Sequence, residues 1–335
     1  MKENLVIGTR GSLLALTQAR IIEKELHNII PSVKIDLKII KTKGDMLSSS
    51  TIVATDKSLF IKELEDSLLN EDALILSHDG MEREYLLHIP ENYDSSISHP
   101  IVFNFHGFGG TATDHMYSAD LRSISDTAGF ILVYPQGLPS DDGSPHWNIA
   151  ENGGDNKSNS DDFGFIVSLI NELSLEYNID ENRIYACGYS NGAGFSFSAA
   201  CHLNQFAAIA SISGLMSDWA LDNCDPPKPV GTMIIHGTSD DVRPYEGIDN
   251  FSLSVDEEIQ FWTDFNNTDS IPQITNFNDG NLIEHFKYSN GTNGSLVELY
   301  KINNGYHIWF NFSYEGKNTN QLIWNFFSKH SLEAR

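Results

Sequence analysis

Residues 187–200 read CGYSNGAGFSFSAA, and this stretch joins a predicted strand to a predicted helix. The apolar residues before Ser190 are typical of a buried strand, and the small and apolar residues after it favour a helix. Gly188 and Gly192 flank the serine in the pattern G-x-S-x-G. Between a strand and a helix, this pattern lets the chain turn sharply and holds the serine hydroxyl above the end of a sheet. Ser190 is therefore a candidate nucleophile, and the alternative is a serine in an ordinary glycine-rich turn.

Alternating strand and helix patterns occupy the chain after residue 80. The predicted strands are 83–90, 100–107, 129–137, 183–190, 206–214, 230–237 and 297–302, and the predicted helices are 113–127, 161–178, 191–204 and 318–330. Most of these strands are nearly continuous apolar runs, which is typical of strands buried on both faces. The alternation predicts an α/β fold with a mostly parallel sheet and helices on both faces.

A serine hydroxyl becomes nucleophilic when a histidine accepts its proton and a carboxylate orients that histidine. Asp240 and Asp241 follow the predicted strand 230–237, and His307 lies in the loop after strand 297–302. The chain order serine, acid, histidine is that of a nucleophile elbow on an α/β sheet, and the carboxyl ends of parallel strands meet at one edge. We therefore predict a catalytic triad of Ser190, Asp240 and His307, with Asp241 as the alternative acid.

Two backbone amides are candidates for an oxyanion hole. HGFGG, residues 106–110, follows an early strand, so the N–H of Phe108 is one expected donor and the N–H of Asn191 is the other. Trp147 and Trp309 are candidate substrate-binding side chains, with ordinary core or surface aromatics as the alternative for each. No cysteine or histidine spacing typical of a metal site is present, so we predict no metal and no cofactor.

The chain is strongly acidic, with 21 Lys or Arg against 46 Asp or Glu and a net charge of −25. Such a surface repels phosphate backbones and anionic lipids, which disfavours nucleic-acid and membrane partners. No run of 18 apolar residues occurs, and the first residues are too polar for a secretory signal, so the chain as written is expected in the cytoplasm. Residues 1–75 hold 10 basic and 11 acidic residues, whereas residues 76–335 hold 11 and 35, which indicates two segments of different origin.

The motifs REYLLHIP, HGFGG, GYSNGAG, HGTSD and GYHIW occur in this order between residues 83 and 309. With them, residues from about 79 to 330 resemble the secreted polyhydroxybutyrate depolymerase and feruloyl esterase group of α/β-hydrolases. The resemblance implies an α/β-hydrolase fold and a serine carboxylic-ester hydrolase that forms an acyl-enzyme. The expected substrates are small or polymeric esters with short- to medium-chain or aryl groups, and the alternatives are a polyhydroxyalkanoate depolymerase or feruloyl esterase, a serine peptidase, or a non-catalytic binding module.

The same resemblance implies a disulfide. The group pairs a cysteine after the nucleophile helix with one before the strand that ends in HGT, and Cys201 and Cys224 occupy these positions. The remaining cysteine, Cys187, would then be a free thiol. The loop that carries the histidine reads N-G-Y-H here rather than a run of glycines, which is a departure from the group.

The front of the chain has a different resemblance. LVIGTRGSLLALTQARIIEKEL, beginning at Leu5, and the later KTKGDM resemble the opening of hydroxymethylbilane synthase (porphobilinogen deaminase). In that family these segments, and lysines at the positions of Lys57 and Lys62, help to bind an anionic cofactor and pyrrole acids. The match ends near residue 75, before the segment with the family's catalytic aspartate. We therefore predict that residues 1–75 form a small non-catalytic α/β appendage and residues 76–335 the catalytic domain.

Overall fold

The computed structural model describes residues 4–10, 34–40, 73–150 and 156–333. The chain divides into two compact units, Met1–Asp72 and Ala73–Arg335. In the first unit, strands β1 (Asn4–Arg10) and β2 (Lys34–Ile40) pair in parallel. The rest of the predicted α/β appendage before Ala73, including Lys57 and Lys62, lies outside the described residues.

The second unit is built on one large sheet. Its strands are β3 (Leu74–His78), β4 (Met81–His88), β5 (His99–Phe105), β6 (Ile131–Pro135), β7 (Ile179–Tyr189), β8 (Phe206–Ile212), β9 (Gly231–Gly237), β10 (Gln273–Asp279), β11 (Asn281–Tyr288) and β12 (Val297–Ile302). Their order is β10-β11-β12-β9-β8-β7-β5-β6-β4-β3. The central strands from β12 to β6 are parallel, and antiparallel pairs extend the sheet at both edges. A short hairpin, β13 (Ser313–Tyr314) and β14 (Lys317–Asn318), lies outside this sheet.

Helices cover both faces of the sheet. They are α1 (Ala112–Ser118), α2 (Arg122–Ala128), α3 (Asp162–Glu176), α4 (Asn191–His202), α5 (Asp218–Asp222), α6 (Val255–Asn266) and α7 (Thr319–Phe327), with a short 3₁₀ turn at Thr292–Gly294. One core forms between the sheet and helices α3, α4 and α6, and a second forms between the opposite face and helices α1, α2 and α7. Burial of both faces explains the continuous apolar runs of the central strands.

The register of the central strands brings their carboxyl ends to one edge. Phe105 at the end of β5 lies opposite Gly188 of β7, which lies opposite Ser211 of β8. Gly237 at the end of β9 pairs with Ile302 at the end of β12. The loops that follow β5, β7, β8, β9 and β12 therefore leave the sheet along a common edge, and these loops carry the predicted site residues.

The prediction of one continuous helix over 113–127 was wrong, because this segment forms two helices, α1 and α2. The break falls at Ala119, whose carbonyl oxygen accepts hydrogen bonds from the Tyr134 hydroxyl at 2.8 Å and from Asn104 Nδ2 at 3.2 Å. Asp120 accepts the N–H of Arg122 with its side chain, at 2.9 Å, just before the next helix begins at Arg122. Side chains of the sheet therefore compete for a carbonyl that a continuous helix would use.

No helix in the described ranges combines the length and the hydropathy needed to cross a lipid bilayer.

A disulfide joins Cys201, in the last turn of α4, to Cys224, which follows α5. The third cysteine, Cys187, is a buried thiol in β7. Burial raises the pKa of this thiol far above its ordinary value, so Cys187 stays protonated. The disulfide fixes the end of the helix that begins at Ser190 to the connection between β8 and β9.

Replacing Cys201 and Cys224 together by alanine is expected to destabilise the protein. The bond closes a loop with a sequence separation of 23, and the chain-entropy description gives about 3 kcal/mol for a loop of this size. Thermal unfolding of the double variant and of the parent, with and without reductant, measures the effect. A reductant should lower the melting temperature of the parent and leave that of the double variant unchanged; equal melting temperatures for both proteins would contradict the prediction.

Candidate active site

Ser190 occupies a strained turn between β7 and α4. Its φ of 54° and ψ of −113° lie in a region that residues with a side chain rarely adopt. The two flanking positions require glycine because neighbouring backbone segments come too close for a side chain. A Cβ on Gly188 would overlap the carbonyl of Gly192, and a Cβ on Gly192 would overlap the carbonyl of Phe105. The G-x-S-x-G pattern thus packs the start of α4 directly against the end of β5 and leaves the Ser190 side chain at the edge of the sheet.

His307 bridges Ser190 and Asp240. Its Nε2 lies 2.8 Å from Ser190 Oγ, and its Nδ1 lies 2.7 Å from Asp240 Oδ2. Because a carboxylate only accepts hydrogen bonds, Nδ1 carries the proton and Nε2 is available to accept the serine proton. Asp241, the alternative acid, is exposed. His307 donates its Nδ1 proton to Asp240.

The environment of Asp240 keeps its carboxyl group ionised. Burial acts to raise the pKa of Asp240, but the hydrogen bond from His307 and those from the backbone N–H groups of Arg243 and Val242 outweigh it, so the pKa lies below the ordinary value. The two backbone bonds reach Oδ1 at 2.7 and 2.9 Å. One carboxylate oxygen therefore shapes its own loop, while the other orients the imidazole.

Side chains that no sequence motif singled out hold the His307 loop. The Tyr189 hydroxyl donates to the carbonyl of His307, and Ser213 Oγ donates to the carbonyl of Ile308, each at 2.9 Å. His236 plays a similar part in the acid loop, where its Nε2 donates to the carbonyl of Arg243 at 2.8 Å. Tyr189 directly precedes the nucleophile and Ser213 directly follows β8, so position at a strand end is the signal that points to them.

The HGFGG loop lies against the nucleophile turn. A Cβ on Gly107 would come within 3.4 Å of Ser190 Cβ. His106 Nδ1 donates to the carbonyl of Gly107 at 2.8 Å, and His106 Nε2 accepts the N–H of Gly137 at 2.9 Å. Burial is the main cause that lowers the pKa of His106 to about 4, so this ring is neutral and keeps one tautomer. Since the N–H and C=O of a trans peptide point in opposite directions, the N–H of Phe108 points away from His106.

Asn191 has its N–H in the first turn of α4, where helix amides lack intrahelical partners. Its side chain brackets the backbone of Trp147: Oδ1 accepts the Trp147 N–H at 2.7 Å, and Nδ2 donates to the Trp147 carbonyl at 3.0 Å. Asp162 accepts the next amide, that of Asn148, at 2.8 Å, and is itself paired with the buried Arg83 at 2.7 Å. The Trp147–Asn148 segment is therefore held on both sides beside the nucleophile.

The two candidate substrate-binding tryptophans differ. Trp147 is 1% exposed, donates from Nε1 to the carbonyl of His106 at 3.1 Å, and still lines the cavity at Ser190. Trp309 is not among the residues that line this cavity, contrary to its prediction as a substrate-binding side chain. Its Nε1 donates to Asn320 of α7 at 3.1 Å, and its ring packs edge-on against His115.

A cavity of about 400 Å³ opens at Ser190. Its apolar lining consists of Phe108, Trp147, Ile149, Leu215, Val242 and Phe251, and its polar lining includes His146, Lys157, Asn191 and Arg243. This volume and composition suit a small organic group. Within the part of the chain that the structure describes, no group of three or more His, Cys, Asp and Glu is placed to hold a metal ion.

Residues 84–250 match the family model described as "Esterase PHB depolymerase". Residues 5–83 match "Porphobilinogen deaminase, dipyromethane cofactor binding domain". Both resemblances predicted from the motifs are confirmed. The two matches meet inside strand β4, so the deaminase match extends over β3, which is an edge strand of the large sheet.

The curated relatives are named as esterases, and each matches about half of this chain. A probable feruloyl esterase C of Aspergillus terreus is 31% identical over 175 residues, which are 49% of this chain and 57% of the relative. A bifunctional acetylxylan esterase/xylanase of Neocallimastix patriciarum is 27% identical over 173 residues, 51% of this chain and 23% of that protein. The chain thus spans little more than half the length of the first relative and about a quarter of the second.

Solved structures establish the fold. An acetyl xylan esterase from Aspergillus awamori superposes with a TM-score of 0.54 at 15% identity, covering 77% of this chain and 99% of that one. A thermostable esterase superposes with a TM-score of 0.51 at 18% identity, covering 78% and 63%. The second unit has the α/β-hydrolase fold, as predicted.

Asp240→Asn is expected to lower kcat by about a thousandfold or more, because an amide cannot fix the tautomer of His307. Asp241→Asn removes the same charge at the neighbouring, exposed position and should leave kcat close to that of the parent. Steady-state ester hydrolysis by the two variants measures the difference. A large loss in Asp241→Asn with activity retained in Asp240→Asn would reassign the acid.

The stability of Asp240→Asn provides a second measurement of the same prediction. Because the folded pKa of Asp240 is lowered, the stabilisation by its carboxylate is present above the unfolded pKa of about 4 and is lost as pH falls through the folded value. The difference in unfolding free energy between the parent and Asp240→Asn should therefore shrink as the pH is lowered below about 4. A difference that is constant over this range would contradict the assignment.

Proposed function

We propose that this protein hydrolyses carboxylic esters through an acyl-enzyme on Ser190. The observation that carries the proposal is the continuous set of hydrogen bonds from Ser190 Oγ to His307 and from His307 to Asp240, at 2.8 and 2.7 Å. Two further observations support the same reaction. These three residues lie at the carboxyl edge of an α/β-hydrolase sheet, and the relatives and the matching family model are named as esterases.

In the acylation step, Ser190 Oγ attacks the ester carbonyl while His307 Nε2 takes the serine proton. The imidazolium that forms is stabilised by the carboxylate of Asp240. The N–H groups of Phe108 and Asn191 donate to the oxyanion, and a single donor of this kind lowers the barrier by roughly 3 kcal/mol. His307 then gives its proton to the leaving alkoxide, and the ester bond breaks.

In the deacylation step, water takes the place of the alcohol. His307 accepts a proton from the water, the hydroxide attacks the acyl carbonyl, and the same two amides hold the second oxyanion. Ser190 leaves with the proton returned by His307, and the carboxylic acid is released. The chemistry needs only residues of this chain and water.

Exposed apolar side chains around the site favour esters with aryl or extended acyl groups. Phe108 is 45% exposed, Val242 50%, Tyr306 66% and Ile308 50%. Phe108 and Val242 line the cavity at Ser190, and Tyr306 and Ile308 are the neighbours of His307 in the chain. Feruloyl esters or polyhydroxyalkanoate chains, which the names of relatives suggest, would contact such a surface.

Ser190→Ala is expected to abolish ester hydrolysis, with a loss of more than about a thousandfold in kcat and little change in melting temperature. A fluorophosphonate should label the parent at Ser190 and fail to label the variant. The control is Ser198→Ala, which removes a serine hydroxyl two turns further along α4. Full activity in Ser190→Ala, measured on p-nitrophenyl esters of graded chain length, methyl ferulate and a polyhydroxybutyrate suspension, would refute the proposal.

We further propose that residues 1–75 take no part in this chemistry. All residues of the triad, of the oxyanion loop and of the described cavity lining belong to the unit Ala73–Arg335. Because the match to the deaminase family model ends at residue 83, we expect no porphobilinogen deaminase activity.

A chain that begins at Ala73 should therefore keep the kcat of the full-length protein on a short-chain ester. This start point retains β3, which pairs with β4. Hydrolysis rate and melting temperature of the shortened and full-length chains are the measurements. A folded shortened chain whose turnover falls by a hundredfold would show that the front segment shapes the site.

A further inference from the structure

The two amides assigned to the oxyanion hole lie on separate segments of the chain. Phe108 belongs to the HGFGG loop after β5, whereas Asn191 begins α4. Two donors stabilise one oxyanion only when both lie within about 2.7–3.1 Å of the same point. The contacts that fix the distance between these two segments therefore affect the rate of the reaction.

The side chain of Asn191 holds a third segment that contains Trp147. Asn191 Oδ1 accepts the N–H of Trp147 at 2.7 Å, and Asn191 Nδ2 donates to the carbonyl of the same residue at 3.0 Å. Because one backbone unit supplies both a donor and an acceptor, this pair of hydrogen bonds also fixes which way the Asn191 amide faces. The residue whose N–H is one oxyanion donor thus places Trp147 as well.

The segment with Trp147 holds the oxyanion loop on both sides of Phe108. The Trp147 indole donates from Nε1 to the carbonyl of His106 at 3.1 Å. Two residues before this tryptophan, the carbonyl of Pro145 accepts the N–H of Gly109 at 2.7 Å. His106 and Gly109 lie two residues before and one residue after Phe108, so the position of its amide depends on the position of Trp147.

Contacts within the loop fix the direction of the Phe108 N–H. The carbonyl of Gly107 accepts from His106 Nδ1 at 2.8 Å and from the N–H of Gly110 at 3.0 Å. In a trans peptide the carbonyl of one residue sets the direction of the next N–H. The loop is therefore held internally, and its distance from the nucleophile turn depends on the contacts that join it to other segments.

We propose that the Asn191 side chain and the Trp147 indole form a brace that sets the distance between the two oxyanion donors. Both are positioning residues in this role, because the brace acts through the backbone amides of Phe108 and Asn191. The inference rests on the proposed function, since it concerns the oxyanion that forms at Ser190. The two links act in series, so the loss of both should cost no more than the loss of one.

Asn191→Ala removes the first link and keeps the backbone N–H that donates to the oxyanion. The chain offers a matched control in Asn266, which holds Val230 in the same way. Asn266 Oδ1 accepts the N–H of Val230 at 3.0 Å, and its Nδ2 donates to the Val230 carbonyl at 2.7 Å. Val230 directly precedes β9, at the opposite end of that strand from the loop with Asp240. Asn266→Ala therefore removes an equivalent pair of hydrogen bonds away from the site.

Trp147→Phe removes the second link and keeps an aromatic ring in the core. Its control is Trp262→Phe, which makes the same change in volume in the same core. Trp262 is also fully buried, and its Nε1 has no hydrogen-bond partner in the part of the chain that the structure describes. This control loses packing without losing a hydrogen bond to the oxyanion loop.

Two ketones of equal chain length separate oxyanion binding from contact with the cavity wall. With a trifluoromethyl ketone, Ser190 Oγ adds to the carbonyl carbon, His307 takes the serine proton, and the carbonyl oxygen becomes an oxyanion that resembles the transition state. The methyl ketone contacts the same wall and stays a neutral carbonyl. The measurement is the ratio of the two dissociation constants by calorimetry, together with kcat/KM on p-nitrophenyl butyrate.

We expect Asn191→Ala and Trp147→Phe each to lower the preference for the trifluoromethyl ketone, and kcat/KM, by about tenfold, which corresponds to about 1.4 kcal/mol. This is less than the hundredfold or more that follows removal of a donor, because the packing of Gly192 against β5 remains. The double variant should also lose about tenfold, whereas independent contributions would multiply to about a hundredfold. Both controls should lower the melting temperature and leave the preference unchanged.

An unchanged preference in both variants would overturn the proposal. An equal loss in the two controls, or a hundredfold loss in the double variant, would overturn it too. Either single variant decides the question if the other does not fold. Ester hydrolysis by the parent with an unaltered preference in the variants upholds the esterase and refutes the brace. If the parent hydrolyses no ester, the proposed function falls, and a preference that drops in the two variants but not in the controls still supports the brace.

Discussion

The close contact between the turn at Ser190 and the end of β5 is the constraint on which the site depends. Gly192 has no room for a Cβ against the carbonyls of Phe105 and His106, so the first turn of α4 is pressed onto the strand that continues into the oxyanion loop. Ser190 adopts its positive φ at this contact, and its Cβ lies beside Gly107. Ser190 and the HGFGG loop are therefore placed by one backbone packing interaction, and a shift of either segment would displace the other. The strain of the turn is offset by the buried cores on the two sides of the sheet.

The imidazole is placed by a second, polar set of contacts. His307 lies in a loop without regular secondary structure, and its ring position is determined by bonds to Ser190 and Asp240 and by the Tyr189 hydroxyl on its carbonyl. Ser190 follows β7, Asp240 follows β9, and the loop with His307 follows β12. Because these strands are parallel and end at the same edge of the sheet, the three side chains meet there. A loop can hold a catalytic group this way because each of its anchors stands at the end of a rigid strand.

The central strands and the turn at Ser190 were predictable because local patterns determine them. A buried parallel strand is apolar throughout, and a nucleophile turn requires glycine at fixed offsets from Ser190, so both leave clear signals in the sequence. The edge of the sheet was not predictable in this way. Strand β10 is mostly exposed and polar, and its pairing with β11 depends on a neighbour already in place. Local patterns also did not indicate that the predicted helix 113–127 is divided or where Trp309 lies. The deciding contacts are made by Tyr134 and Asn320, which belong to other elements of the chain.

The boundary between the two family matches differs from the boundary between the two structural units. The deaminase family model extends to residue 83, yet Leu74–His78 is an edge strand paired with β4. His78 contacts Ser168 at 2.9 Å and Asp161, the N-cap of α3, at 3.1 Å. The adjacent Asp162 holds Asn148, and Asn191 holds Trp147 next to the nucleophile. Residues that match the deaminase family model thus support the helix that positions one wall of the cavity at Ser190. Since a strand needs only a compatible pattern and a free sheet edge to pair, a segment that matches a different family model can form an edge strand of the large sheet.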